Sequence, residues 1–255
     1  MSKYVSVRSE DGVVILSLSR APLNILNLEM IEELLGALEA AGSRPGTKAV
    51  LLKSDLEGVF SAGADVKDHL PPQTERFIRA FERLISATAS LPRPTVASVS
   101  GRCLGGGMEL ALACDFVVAE EGSIFGQPEI KLGAYPPAAA SMYPRLAGLK
   151  TVADIVLTGR EVAAEEALRM GLITAVAKRG ELDSRCGELL DMLRSKSGAA
   201  LGLAKRAIRE SLSLPLDEAL AKSSSIYLDD LMKTKDAQEG LSAFLEKRRP
   251  RWQDQ

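Results

Sequence analysis

The chain has 255 residues, of which 46% are hydrophobic and 26% charged, and its formal net charge is −2. This length suits one large α/β domain or a domain with a helical extension. The near-neutral charge argues against nucleic acid or an anionic membrane as partner. No apolar run approaches the roughly 18–20 residues that span a bilayer. The first residues, MSKYVSVRSEDG, lack the apolar stretch of a signal peptide.

The cysteine and histidine content narrows the possible chemistry. Cys103, Cys114 and Cys186 form no CxxC pair and leave an odd thiol, which predicts a reduced, cytoplasmic compartment. The only histidine, His69, excludes a zinc site built from several histidines, and its polar surroundings before two prolines predict a solvated loop. No GxSxG motif is present. We therefore expect no metal, and chemistry that depends on carboxylates, backbone dipoles or lysines.

Strands and helices alternate from the N-terminus onward. Strands YVSV and GVVILSLS flank Asp11-Gly12, a sequence that favours a hairpin turn. Asn27 ends the loop RAPLNILN and is expected to cap a helix. The apolar positions of that helix recur at helical spacing: Ile31, Leu34, Leu35 and Leu38.

The same pattern continues along the chain. A strand at 48–54 precedes a second amphipathic helix, which ends before LPRP. The strand TVASVS, the glycine-rich segment Gly105–Gly107 with a short helix, and the strand DFVVAE follow. Repeated strand, strand and helix predicts layered sheets flanked by helices.

Almost continuous helical patterning begins near Glu181, and no Gly/Ser-rich linker precedes it. We therefore predict one folded unit with residues 1–180 as catalytic core and 181–255 as a helical oligomerisation region. Two interpretations of the apolar faces in the second region stay open. They pack on the chain's own core, or a partner subunit covers them.

Three segments predict a site for developing negative charge. In FSAGADVKDH, the small residues Ala62-Gly63-Ala64 allow a ligand to approach the N–H of Ala64. The three glycines offer the N–H of Gly106 at the start of a helix, and Glu109 follows in that helix. Glu129 follows Pro128, which restricts the local backbone. Two N–H donors and two carboxylates suit proton transfer next to a carbonyl whose oxygen the amides hold.

Each segment alone has a simpler structural interpretation. The glycines could form only a tight turn, Glu109 could stabilise a helix start, and Glu129 could be an ordinary loop acid. The glycine segment is not a P-loop, because Gly107 rather than Lys and Ser or Thr follows Gly106. It is not a dinucleotide-binding motif either, because Met-Glu-Leu follows Gly107 with no third glycine.

In this order and spacing, the segments resemble those of the enoyl-CoA hydratase/isomerase, or crotonase, family. The resemblance covers nearly the whole chain and depends on FSAGADVK, SGRCLGGGMELALACD, FGQPEIKLG and AFLEKRRPRW, with RAPLNILN as a weaker match. It implies an α/β fold, a spiral of ββα units with a helical C-terminal trimerisation region. It also implies homotrimers or dimers of trimers.

The resemblance assigns roles residue by residue. The N–H groups of Ala64 and Gly106 would hold the thioester oxygen, while Glu129 activates water and Glu109 positions it and shares the acid–base work. An acyl-CoA thioester is the substrate, and no separate cofactor is implied. Residues matching the coenzyme A and substrate contacts are Leu26, Ala62, Ala64, Asp65, Val66, Lys67, Gly106, Pro137, Phe244 and Lys247. For Lys67, a plain surface role is an equal alternative.

One stretch departs from the family pattern. AYPPAAASMYPRLAG replaces a glycine-rich stretch and places Pro137 where a glycine N–H can help hold the catalytic water. Proline has no N–H. The stretch resembles the branch of the family that acts on cyclic dienoyl-CoA esters, and drift in a loop is the alternative.

The sequence therefore predicts a hydro-lyase that adds water across the C=C bond of an enoyl-CoA. A double-bond isomerase of the same family is the first alternative. The second is a non-catalytic member that binds RNA or protein, against which the two glutamates and the near-neutral charge argue.

Overall fold

A computed structural model describes residues 2–254, whose strands form two sheets. The larger sheet has the order β1-β2-β3-β5-β7-β10, and the smaller has the order β4-β6-β8-β9. The strands are β1 (Val5–Glu10), β2 (Val13–Leu18), β3 (Ala49–Ser54), β4 (Val59–Ser61), β5 (Thr95–Val99), β6 (Arg102–Leu104), β7 (Phe116–Glu120), β8 (Ile124–Gly126), β9 (Glu161–Ala163) and β10 (Ala175–Ala177).

Consecutive strand pairs divide between the two sheets. β3, β5 and β7 join the larger sheet, and the strand that follows each of them, β4, β6 or β8, joins the smaller one. Neighbouring strands within each of these two sets are parallel. The chain therefore advances by one strand in both sheets with each repeat, which makes it a spiral.

Ten α-helices complete the described part of the chain. They are α1 (Leu28–Ser43), α2 (Thr74–Ser90), α3 (Gly106–Ala113), α4 (Pro137–Leu146), α5 (Leu149–Thr158), α6 (Ala164–Arg169), α7 (Leu182–Arg194), α8 (Gly198–Ser211), α9 (Leu216–Ser225) and α10 (Lys235–Leu245). One-turn helices lie at Val66–His69 and Pro128–Leu132. None of the helices within residues 2–254 has the length and apolarity needed to cross a membrane.

Helix α3 lies in the interior, and every one of its eight residues is buried. It contacts β4 and β6 of the smaller sheet and β5 and β7 of the larger one. A helix that is apolar on all sides is expected to be buried in this way. The only charged residue within this helix is Glu109, so the fold carries a carboxylate into the core.

The helical region after residue 181 has two kinds of surface. Leu190 and Leu193 of α7 are buried against the outer face of the larger sheet, together with Val13 and Val96. By contrast, Leu216 and Leu220 of α9 are 73% and 58% exposed. The chain's own core therefore covers α7 but not the apolar face of α9. The division into residues 1–180 and 181–255 stays a prediction.

The local structure agrees with the predictions made from the sequence except at His69. The β1–β2 hairpin turns at Asp11-Gly12, and the Asn27 side chain accepts a 3.1 Å hydrogen bond from Met30 N. The expectation of a solvated loop at His69 is wrong. His69 ends a one-turn helix, its Nδ1 lies 2.9 Å from the Asp65 carbonyl oxygen, and its ring packs 4.7 Å from that of Phe77. The two prolines end this helix, and the Phe77 ring partly covers the imidazole.

We expect Gly101→Ala to destabilise the fold far more than Gly46→Ala. Both glycines have φ of +75°, so each alanine bears the left-handed penalty of about 1–2 kcal/mol. At Gly101, between β5 and β6, an added Cβ would also lie 1.9 Å from the Gly58 carbonyl oxygen, whereas at Gly46 it meets nothing within 4 Å. Urea unfolding of both variants measures the difference, and equal losses of stability would contradict this account of the turn.

Candidate active site

The site lies where three parallel strands of the smaller sheet end. Ala64 follows β4, Gly106 follows β6, and Glu129 follows β8. Because β4, β6 and β8 are neighbours in that order, their carboxyl ends meet at one edge of the sheet. Ligands of α/β proteins typically bind outside such carboxyl ends.

A buried asparagine holds the first segment in place. Asn24, in the loop before α1, donates from Nδ2 to the Phe60 carbonyl oxygen at 3.0 Å and accepts from Arg20 N at 2.7 Å. Its own carbonyl oxygen accepts from Ser61 Oγ at 2.7 Å. The loop therefore contacts the middle and the carboxyl end of β4 and fixes the chain that leads to Ala64.

The N–H groups of Ala64 and Gly106 are available to a ligand. Leu26 pairs with the chain on either side of Ala64, donating to the Gly63 carbonyl and accepting from Asp65 N. Gly106 is the first residue of α3, so its N–H has no acceptor inside the helix. Within residues 2–254 neither N–H has an acceptor. A Cβ on Gly106 would lie 3.3 Å from Ala64 N, so the two donors are adjacent and can converge on one oxygen.

Glu129 lies directly beside these donors. Its side chain covers Gly105, where an added Cβ would lie 2.5 Å from Glu129 Oε1. Gly105 has a φ of +52°, so both the backbone conformation and the close approach of the carboxylate require glycine here. Glu129 Oε2 is buried and has no hydrogen-bond partner among the described residues. An unpaired buried oxygen of this kind can accept a proton or a hydrogen bond from a bound molecule.

Glu109 projects from α3 toward the start of α4. Its Oε1 accepts a 2.7 Å hydrogen bond from the N–H of Ala139, two residues after Pro137. Pro137 is the first residue of α4, where its missing N–H costs the helix nothing. The N-terminus of α4 therefore directs an amide at the Glu109 carboxylate, a favourable position for a negative charge.

Burial dominates the electrostatics of the two carboxyl groups. It raises the pKa of Glu109 to about 8; the Ala139 N–H opposes this shift, and the charge of Glu129 adds to it. Burial also raises the pKa of Glu129. Because the charge of one group affects the other, the two titrate as a pair. A carboxyl group with a pKa near neutrality suits acid–base catalysis.

A surface cavity of about 660 Å³ lies beside Ala64. It is lined by the predicted residues Asp65, Val66 and Lys67 and by residues that the sequence reasoning did not single out. These additional residues are Lys3, Tyr4, Ser19, Arg20, Ala21, Pro22 and Ile25.

The cations of this cavity come from distant parts of the chain. Arg20 Nη2 lies 3.5 Å from Asp65 Oδ2, and its guanidinium packs over the Tyr4 ring at 5.5 Å. Lys67 is exposed on the one-turn helix that Asp65 caps. Spacing in the sequence gives no signal that Lys3 and Arg20 line one cavity with Lys67; the weak match of RAPLNILN is the only clue.

Among the remaining predicted site residues, Leu26 adjoins this centre through its backbone, whereas Phe244 and Lys247 belong to the C-terminal helical region. Leu26 is fully buried, so only its backbone contributes to the segment that carries Ala64. Phe244, on α10, is 81% exposed, and α10 packs on α8. Lys247 follows α10 and has a φ of +53°. The roles of Leu26, Ala62, Pro137, Phe244 and Lys247 in ligand binding stay predictions.

Fold and site together define a class of protein. Paired N–H donors, the buried carboxyl group of Glu109 and the half-buried one of Glu129, assembled at one edge of a parallel sheet, can stabilise an oxyanion while protons move nearby.

Comparison with known proteins identifies the family. The profile described as Enoyl-CoA hydratase/isomerase matches residues 8–255. A probable mitochondrial enoyl-CoA hydratase 2 of Arabidopsis thaliana is 33% identical over 95% of this chain and 82% of its own length. A cyclohexa-1,5-dienecarbonyl-CoA hydratase of Thauera aromatica is 35% identical over 96% of this chain and 94% of its own length. A solved enoyl-CoA hydratase from Bacillus anthracis superimposes with a TM-score of 0.91 at 33% identity, covering 99% of this chain and 100% of that one.

The chain therefore belongs to the enoyl-CoA hydratase/isomerase family. The predicted family and its crotonase fold are both confirmed.

We expect Glu109→Gln to raise the free energy of unfolding at pH 8 but not at pH 4.5. The folded state keeps a proton on Glu109 that the unfolded state releases between about pH 4.5 and 8. The contribution of Glu109 to the free energy of unfolding is therefore complete below that window. It falls by up to about 1.4 kcal/mol per pH unit as the pH rises across it. A neutral glutamine removes this loss and can still accept the hydrogen bond from Ala139.

Thermal unfolding of wild type and variant at several pH values within the window measures the effect. Glu121→Gln, at an exposed loop position, is the matched control and leaves the pH dependence unchanged. A Glu109→Gln variant less stable than wild type at pH 8 would show that the ionised carboxylate is well accommodated.

Proposed function

We propose that this protein is an enoyl-CoA hydratase, a hydro-lyase that adds water across the C=C bond of an α,β-unsaturated acyl-CoA thioester. The observation that carries the proposal is the convergence of two unpaired N–H groups with two carboxyl groups, one of which has an unpaired buried oxygen. Family relatives named as enoyl-CoA hydratases support it.

The N–H groups of Ala64 and Gly106 act on the thioester oxygen. Their hydrogen bonds draw electron density toward the carbonyl, which makes the β-carbon electrophilic and stabilises the enolate formed when water adds. Each such donor contributes roughly 3–4 kcal/mol to transition-state stabilisation in comparable sites.

The two carboxyl groups hold the water and transfer the protons. A water held between Glu109 and Glu129 loses one proton to the pair as its oxygen bonds to the β-carbon. The C=C π electrons move toward the carbonyl, and the α-carbon then takes a proton from the pair as the C=O bond re-forms. One proton is gained and one returned, so the carboxyl groups regain their starting state. Coenzyme A is part of the substrate, and this sequence uses no separate cofactor.

Hydration is favoured over isomerisation because two carboxyl groups adjoin the oxyanion donors. An isomerase moves one proton between carbons and needs one acid–base group, whereas a hydratase also has to activate water. The affinity of Glu129 Oε2 for a donor and the acidic proton of Glu109 at neutral pH supply both needs.

A cyclic dienoyl group is our proposal for the acyl moiety. The Thauera aromatica relative, named for a cyclohexa-1,5-dienecarbonyl-CoA substrate, supports it. The Pro136-Pro137 start of α4 also supports a departure from the straight-chain pocket, because Pro137 offers no N–H to a water.

The cavity lined by Lys3, Arg20 and Lys67 is our proposed site for the phosphates of coenzyme A. Its three cations and one acid, Asp65, give it a positive balance, and the Tyr4 ring packs against Lys3 and Arg20. It lies on the Ala64 side of the site, as a thioester held there by its carbonyl oxygen requires.

We further propose a cytoplasmic homo-oligomer, a trimer or a dimer of trimers. The exposed apolar residues of α9 and α10, including Leu216, Phe244 and Leu245, support a subunit interface. The three free, buried cysteines are compatible with a reduced compartment.

We expect Glu109→Gln and Glu129→Gln each to lower kcat for hydration by at least about 100-fold, because loss of one acid–base group typically costs 10²–10⁴-fold. Purified protein is incubated in ¹⁸O-labelled water with crotonyl-CoA or cyclohexa-1,5-diene-1-carbonyl-CoA, and products are resolved by mass. Glu121→Gln serves as the control of equal charge change and retains activity.

Wild-type protein that incorporates label only into the cyclic product supports the cyclic acyl group. Label in the crotonyl product supports an ordinary hydratase with a tolerant proline segment. Isomerised but unlabelled product, or full activity in either glutamine variant, would overturn the proposed hydration mechanism.

We expect Lys67→Met to raise KM for the acyl-CoA about 10-fold with little change in kcat, since an ion pair with a phosphate contributes to binding in ground and transition state alike. Lys150→Met, on the exposed face of α5, is the matched control. Steady-state kinetics at fixed ionic strength separates the two parameters. An unchanged KM would place the phosphates elsewhere.

A further inference from the structure

A buried hydrogen bond lies close to the two carboxyl groups but outside the machinery described so far. Gln127 Nε2 donates to the hydroxyl oxygen of Tyr143, and both side chains are fully buried. Burial raises the pKa of the Tyr143 phenol well above its ordinary value, and the nearby charges of Glu109 and Glu129 add to this rise.

The two residues belong to the segments that carry the two carboxyl groups. Tyr143 lies on α4, one turn after Ala139, whose N–H holds Glu109. Gln127 ends the chain segment after β8 and is followed directly by Pro128 and Glu129. The hydrogen bond between Gln127 and Tyr143 therefore connects the support of Glu109 to the support of Glu129.

This connection is costly if its only role is to fill space. Gln127 Oε1 has no partner among the described residues, and an unpaired buried amide oxygen costs about 1–3 kcal/mol. Apolar side chains of similar volume at both positions would avoid that cost. A directional bond, however, fixes distance and orientation in a way that apolar packing does not.

We propose that Tyr143 and Gln127 are a positioning pair, whose hydrogen bond sets the placement of Glu129 relative to Glu109. This inference depends on the proposed function for its kinetic test. Neither residue donates or accepts a proton in the reaction. They act through the backbone of α4 and of the one-turn helix at Pro128–Leu132.

The test compares Tyr143→Phe, Gln127→Met and the double variant with wild type. Each change removes the hydrogen bond and nearly preserves side-chain size. We expect kcat for hydration to fall about 10- to 100-fold with KM unchanged, since a displacement near 1 Å of a catalytic group costs about 100-fold. The double variant falls no further than either single variant, because both changes break one interaction. Tyr227→Phe, at a half-exposed tyrosine of the C-terminal region, is the matched control and leaves kcat unchanged.

A second readout does not require turnover. Titration of Glu109 by ¹³C NMR of labelled glutamate reports its distance from the Glu129 charge, which raises its pKa. We expect a lower Glu109 pKa in Tyr143→Phe and in Gln127→Met, since either change lets Glu129 move away. A folded variant with unchanged kcat and unchanged Glu109 titration would overturn the positioning role.

The two proposals fail in different ways. Wild-type protein that takes up no label from water contradicts the proposed function, and the NMR titration then decides the positioning role alone. Wild-type protein that hydrates normally, beside variants that are equally fast and titrate identically, contradicts only the positioning role. A fall in kcat with a comparable rise in KM and a lowered unfolding temperature would also contradict it, because these changes together indicate a general loss of structure.

Discussion

The burial of the Glu109 carboxyl group is the constraint to which the rest of the site is fitted. Ionising this group inside the core is unfavourable, and burial alone accounts for most of its raised pKa. The amide of Ala139, at the start of α4, is the polar contact that compensates. The α3 helix that carries Glu109 has to lie between the two sheets, so the chain must alternate strands between them and leave an interior layer for it.

Alternation of strands between the sheets also explains how distant segments meet. β4, β6 and β8 are 40 or fewer residues apart in sequence and adjacent in the smaller sheet, so the segments that follow them emerge side by side. One supplies the N–H of Ala64, the next the N–H of Gly106, and the third Glu129. The candidate active site thus takes one segment from each turn of the spiral, and α3 adds Glu109 from the interior.

Much of this arrangement could be predicted from the sequence, and the missing parts have physical reasons. The strand-like segments around Asp11-Gly12 predict the β1–β2 hairpin, and Asn27 before a helical pattern predicts the cap. Both features depend on residues within a few positions of each other. The glycines, Ala64, Glu109 and Glu129 were identified by their order and spacing. The cavity that Lys3, Arg20 and Lys67 share, and the bond between Gln127 and Tyr143, bring together residues that no local sequence pattern connects. Only the tertiary fold places them side by side. His69 was assigned wrongly because the aromatic cover from Phe77 is likewise a tertiary effect.

The polar groups in the core lower the stability of the fold, although the proposed function requires them. A protein selected only for stability would not keep Glu109 at a pKa near 8, nor leave Glu129 Oε2 and Gln127 Oε1 without partners. Each is unfavourable in the free protein, and under the proposed function the two carboxyl groups become useful when a substrate and a water occupy the site. The unpaired oxygen of Glu129 is then a ready acceptor, and the proton on Glu109 is a ready donor. Groups that a bound water and thioester would satisfy are left unsatisfied by the fold, which holds them in place beforehand so that little reorganisation is needed when the reaction begins.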